Sequence, residues 1–105
     1  MTADHPTNNL MAQAQKAFAD AFAGIIKLMP DGHAPVWIDG RTGKSLASAD
    51  EPKGHAPDCV WRGAPDALLQ ALESEKALES AYLSGRVFIS GDMSVMTRLT
   101  MATKR

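Results

Sequence analysis

The segment Gly85–Leu99, GRVFISGDMSVMTRL, constrains the fold of this chain more than any other. Arg86 to Ser90 alternates, so Val87 and Ile89 share one face of a strand, and Arg86, Phe88 and Ser90 share the other. Gly91-Asp92 breaks the strand, and Asp92 or Ser94 caps a helix that carries Met93, Met96 and Leu99 inward, with Thr100 as a further inward position. The three residues make a soft apolar stripe next to Val87 and Ile89. Such a stripe is ordinarily core packing. Methionine is also flexible and polarisable, which suits a cavity that must adapt to an oily ligand. If Val87 and Ile89 face the helices, Phe88 points to the other side of the sheet. There a loop covers it, or it meets a second chain.

The rest of the chain surrounds this unit. Residues 1–6 read as a loose tail. A helix is predicted from Thr7 or Asn8, with Leu10, Met11, Ala14, Phe18, Ala21, Phe22, Ile25, Ile26 and Met29 at helical spacing until Pro30 ends it. Val36 to Asp39 reads as a strand, Gly40 to Gly43 as a hairpin turn, and Lys44 to Ala49 as the returning strand. Glu51 to Pro57 is a loop, and Cys59 to Arg62 a further short strand. Gly63-Ala64-Pro65-Asp66 opens a helix with Leu68, Leu69 and Leu72 as its stripe. Ser74 caps another helical piece, in which Leu78, Tyr82 and Leu83 share a face, and Gly85 stops it. Strands separated by helices without a regular βαβ repeat predict an α+β domain spanning residues 1–105. The tetrapeptide Gly-His-Ala-Pro occurs at 32–35 and again at 54–57, too short to be a repeat.

Several function classes drop out. With a net charge of −1, no strong electrostatic pull on nucleic acid is expected. The polar start, MTADHPTNN, has neither the basic residues nor the apolar run of a secretory signal. No window approaches the roughly 20 apolar residues of a membrane span. Cys59 is the only cysteine, so an internal disulfide is impossible and a reducing, cytoplasmic setting is expected. His33, His55 and Cys59 are the only candidates for a transition-metal site, and they lack the paired motifs zinc uses. As a nucleophile Cys59 would need a base and a depressed pKa, whereas a thiol in a strand is by default buried and inert. No glycine pattern cradles a phosphate. Neither a catalytic residue, a metal ligand nor a cofactor site is assigned.

DCVWRGAPDALLQAL followed by ALESAYLSGRVFISGDMSVMTRL resembles the sterol carrier protein type-two domain family. The shared parts are a strand at 58–64, the pair Leu68-Leu69, Tyr82 to Gly85, the alternating strand, Gly91-Asp92 and the final helix. The hairpin VWIDGRTGKSLA is similar to the family's middle strands, so the resemblance covers about residues 36–99. It implies a mostly antiparallel sheet of four or five strands, covered on one face by helices, with an apolar tunnel between the layers. It also implies a carrier without bond chemistry, holding a sterol-like, fatty acyl or isoprenoid lipid. Carried over, Val87, Ile89, Met93, Met96 and Leu99 line the tunnel, Val36 and Ile38 extend it, and Phe22 and Leu83 close it.

One departure is expected. The family has a strand between the first helix and the hairpin, and Pro30 to Pro35 leaves no room for one. A four-stranded sheet would leave an edge or face open, which a homodimer using Phe88 or the first helix would cover. The alternative function is therefore a dimeric accessory module of the same fold with a filled core, as in bacterial quinone-lipid biosynthesis. Arg98, Lys104 and Arg105 are too few for a polybasic segment, so they read as solvated charges first and as a peripheral contact to anionic membrane second.

Overall fold

The computed structural model describes residues 5–18, 21–41, 43–52 and 54–98. The chain runs α1 (His5–Ala17), β1 (Ile25–Pro30), β2 (Val36–Asp39), β3 (Leu46–Ser48), β4 (Cys59–Gly63), α2 (Pro65–Ala71), α3 (Glu75–Leu83), β5 (Val87–Gly91) and α4 (Ser94–Arg98). The strands form one sheet in the order β3-β2-β1-β4-β5. Three neighbouring pairs are antiparallel, and β1 pairs with β4 in parallel.

The strand expected to be missing is present, and it lies at the centre of the sheet. Residues 25–30 are β1, not the end of the first helix. Their apolar positions fit either period, but two other signals decide. Ile25-Ile26 is β-branched, which favours the pleated surface. α1 already ends at Ala17, and Ala23, with φ +60°, and Gly24 bend the chain directly before β1. Once extended, β1 finds a partner on both sides, with Ile26 opposite Ile38 and Cys59. The reason given for a second copy, an edge left bare by a lost strand, therefore falls away.

The register sorts the sheet into two faces. Ile26, Leu28, Val36, Ile38, Cys59, Trp61 and Val87 share the face toward the helices and are buried. Leu10 and Ala14 of α1, Leu68 and Ala71 of α2, and Leu78 and Ala81 of α3 complete this core. Phe18 sits edge-on to Trp61, with ring centroids 5.7 Å apart. The other face carries Lys27, Trp37, Val60, Arg62, Phe88 and Ser90, with Lys27 Nζ 5.2 Å from the Trp37 ring centroid.

Polar groups fix the corners. The Gln15 amide of α1 donates to the Ser45 carbonyl and accepts from the Ala47 amide, both at 2.8 Å, so a side chain caps the free edge of β3. The Asp58 carboxylate accepts from the Ile25 amide at 2.8 Å, and its carbonyl accepts from the Asp92 amide at 2.7 Å. That joins the start of β1 to the end of β5. Gly91, at φ +102°, is required there, because a Cβ would come within 2.5 Å of the Asp58 carbonyl oxygen. Ser74 caps α3 by accepting from Ala77, and Asp92 accepts from the Ser94 amide and hydroxyl to start α4.

Candidate functional site

Where α3, β5 and α4 meet, the surface dips into a groove of about 340 Å³ lined by Leu78, Tyr82, Ile89, Met93 and Met96, with Glu75 and Glu79 along one flank. Helical spacing explains the first wall: residues 75, 78, 79 and 82 fall on one side of α3. Strand alternation explains the second, since Ile89 shares the inward face with Val87, opposite Trp61. The third follows from α4. Its anchor is Val95, fully buried with its methyls against Gly24, so Met93 and Met96 fall on the rim beside it. Leu78 is almost covered, while Tyr82 and Met93 are 45% and 44% exposed, giving the groove an apolar floor and an open mouth.

The residues assigned to a tunnel fall into separate places. Ile89, Met93 and Met96 come together in the groove. Val36, Ile38 and Val87 lie in the core, sealed on all sides by neighbouring atoms. Phe22 is also buried, its ring packed on Gly40, whose carbonyl accepts from the Phe22 and Ala23 amides. Leu83 is 73% exposed and does not line the groove; it lines a neighbouring depression with Lys76 and Glu79. Leu99 and Thr100 lie outside the described residues, as do Lys104 and Arg105. Leu78, Tyr82 and Val95 were not assigned from the sequence. The shared face of Leu78 and Tyr82 was visible there, but nothing local showed which face of α3 meets β5.

A larger cleft, about 570 Å³, lies at the start of β5 between Arg62, Arg86, Asp31, Asp66 and Phe88. Its lining mixes Asp31, Arg62, Asp66 and Arg86 with Ala64, Ala67 and Phe88, and Arg86 is already held, donating to Gln70 Oε1 at 2.7 Å and Ser84 Oγ at 3.0 Å. The smaller groove is apolar in greater proportion, so it is the better lipid site.

The polar candidates do not converge. Cys59 is buried on the inner sheet face, and burial pushes its thiol up, away from the nucleophilic thiolate. His55 is exposed, its Nδ1 2.8 Å from the Ala56 carbonyl oxygen. Among the described residues, no three His, Cys, Asp or Glu side chains form a metal-sized cluster. No described helix is long and apolar enough to cross a membrane.

This architecture has known relatives. The "UbiJ-SCP2 Ubiquinone synthesis protein" aligns with a TM-score of 0.58 at 11% identity, covering 84% of this chain and 71% of that one. Sterol carrier protein 2 like 2 from Aedes aegypti aligns at 0.55 and 16% identity, covering 89% and 88%. The sterol carrier protein domain 2 of Helicoverpa armigera aligns at 0.53 and 20% identity, covering 88% and 68%. These likenesses are of fold. No curated protein matches the sequence. The model of the SCP-2 sterol transfer family matches residues 8–104, nearly the whole chain, and the chain therefore belongs to that family.

Proposed function

We propose that this domain binds one lipid reversibly, without bond chemistry, and that the lipid's chain lies in the groove between α3, β5 and α4. One observation carries the reading. Leu78, Ile89, Met93, Met96 and the Tyr82 ring, from α3, β5, α4 and the residue before α4, converge on an open depression, and the methionines can repack around different chains. Each buried CH₂ is worth about 0.8 kcal/mol, so a long acyl or isoprenoid chain is held without many polar contacts. Ile89, Met93 and Met96 touch the chain directly. Phe22, Val36, Ile38 and Val87 support the wall and would meet the ligand only if the helices moved off the sheet. The lone cysteine, a buried free thiol, suits a reducing compartment such as the cytoplasm.

A second reading has its own support. Phe88 and Leu46 are 62% and 63% exposed, and both strands pair through residues that place them on the helix-free face. That face fits a dimeric accessory module whose core is filled. Native mass spectrometry of protein purified without detergent separates the two. A retained apolar mass, recovered by solvent extraction, is the result expected for a carrier. An empty protein that also fails to take up added lipid, and that runs as a dimer, would replace the carrier with the interaction module.

A further inference from the structure

The two edges of the sheet differ. At β3 the Gln15 side chain occupies the edge, bonded to the Ser45 carbonyl and the Ala47 amide. β5 forms the other edge. The Gly63 carbonyl faces β1, where it accepts from the Asp31 amide, so by alternation Cys59 and Trp61 bond toward β1 and Val60 and Arg62 toward β5. In register those two meet Ser90 and Phe88. The backbone groups of Val87, Ile89 and Gly91 therefore point away from the sheet, and among the described residues no hydrogen bond outside the ladder reaches them. Apolar side chains border this edge on both faces. Phe88 is exposed on the helix-free side, and the half-exposed Tyr82 and Met93 stand beside Ile89 on the helix side. An open edge with apolar flanks is a template for another strand.

We infer that the open edge of β5 pairs antiparallel with β5 of a second copy, about a two-fold axis at Ile89, so that one sheet runs through both copies. The residues along the edge select this occupant, because a two-fold contact needs a self-complementary surface. In that register Ile89 faces itself and Val87 faces Gly91, so every outward amide and carbonyl finds a partner. Arg86 faces Asp92, which sets opposite charges across the axis twice. Asp92 keeps its bonds to Ser94, and Arg86 Nη2 takes part in neither the Gln70 nor the Ser84 bond. Phe88 faces Ser90, and the two Phe88 rings become diagonal neighbours at about 7–8 Å, within reach of one another. On the helix side the mouths of the two grooves face each other, which covers Tyr82 and Met93. A single short edge buries little area, so the dimer is weak and reversible. This contact does not depend on what the groove holds.

Sedimentation velocity from about 1 μM to about 1 mM, with hydrogen–deuterium exchange at both ends of the range, tests the pairing. A monomer–dimer equilibrium is expected. The amides of Val87, Ile89 and Gly91 should slow at high concentration, while those of Phe88 and Ser90 are slow throughout, because β4 holds them. Phe88→Lys/Ser90→Lys sets like charges opposite each other across the axis and weakens the dimer roughly tenfold. Phe88→Lys/Ser90→Glu sets opposite charges in the same places and restores it to within about threefold. Both positions are exposed, and if either variant fails to fold, the exchange pattern of the unmodified protein decides. A monomer at every concentration overturns the pairing. So does a dimer whose outward amides exchange at one rate throughout, or a pair of double variants that dimerise alike; the second copy then sits elsewhere, as on the helix-free face.

Discussion

Phe88 and Ile89 are consecutive residues of β5 that serve opposite sides of the sheet: Phe88 is 62% exposed on the helix-free face, while Ile89 is half-buried and lines the groove. The alternation of a strand is enough to separate their roles. Phe88→Ser removes no core contact and is expected to change stability by no more than about 0.5 kcal/mol. Lipid uptake should stay intact. Ile89→Ala thins the groove wall and costs about 1–3 kcal/mol, below the full range for a completely buried isoleucine. It should weaken lipid uptake as well. Urea unfolding and lipid titration of the two variants, side by side, check this contrast.

Asp39 and Arg41 test the hairpin between β2 and β3. The Arg41 guanidinium donates to both Asp39 oxygens, at 2.9 and 2.8 Å, and holds that carboxyl below its ordinary value of 3.8. A depressed carboxylate contributes stability above its unfolded pKa and loses it as the pH falls through the folded value. Asp39→Asn is therefore expected to lower stability slightly at neutral pH, where the contribution of this exposed pair is fully present, and to converge with the unmodified protein as the pH falls below about 4, which flattens the acid limb. Unfolding midpoints measured across the acid range decide it. An unchanged acid limb counts against the pair.

Cys59 makes the opposite prediction. Its buried thiol is held up, so the native protein should react slowly with a thiol reagent and the urea-unfolded chain quickly. By linkage, the contribution of the thiol is present below its unfolded pKa and fades as the pH rises through the folded one. Fast labelling of the native protein would show that Cys59 is accessible, contrary to its place opposite Ile26 on the inner face.

The central position of β1 is a further test. Leu28 is fully buried between Val36 and Trp61 in register. Leu28→Ala is expected to cost about 2–5 kcal/mol. The β1 amides should be among the slowest to exchange with deuterium, since both edges of the strand are paired. Fast exchange across residues 25–30 would contradict the sheet order.

These same residues show how far the sequence could be read. β5, the Asp92 cap and the Ser74 cap were legible, because alternation and capping are local. So was the layered α+β plan, through its resemblance to a known family. β1 was not. Ile25, Ile26, Leu28 and Met29 satisfy helical and extended spacing alike, and only pairing with β2 and β4, distant in the chain, decides between them. The groove was half legible for a similar reason. Ile89, Met93 and Met96 adjoin in sequence, whereas Leu78 and Tyr82 reach them through the packing of α3. Phe22, Val36 and Ile38 are apolar and inward-facing, which the sequence indicated. Whether an inward residue meets a ligand or another side chain depends on how closely the helices approach the sheet, and no local pattern records that.

The most direct test of the lipid groove uses its methionines. With ¹³C-labelled methionine methyls, adding oleyl alcohol should shift the Met93 and Met96 signals while Met29, on the opposite side of the sheet beside Arg62, stays in place. Movement confined to Met93 and Met96 places the lipid between α3, β5 and α4. Movement of Met29 alone, or of no methionine at saturating lipid, contradicts the groove as the site.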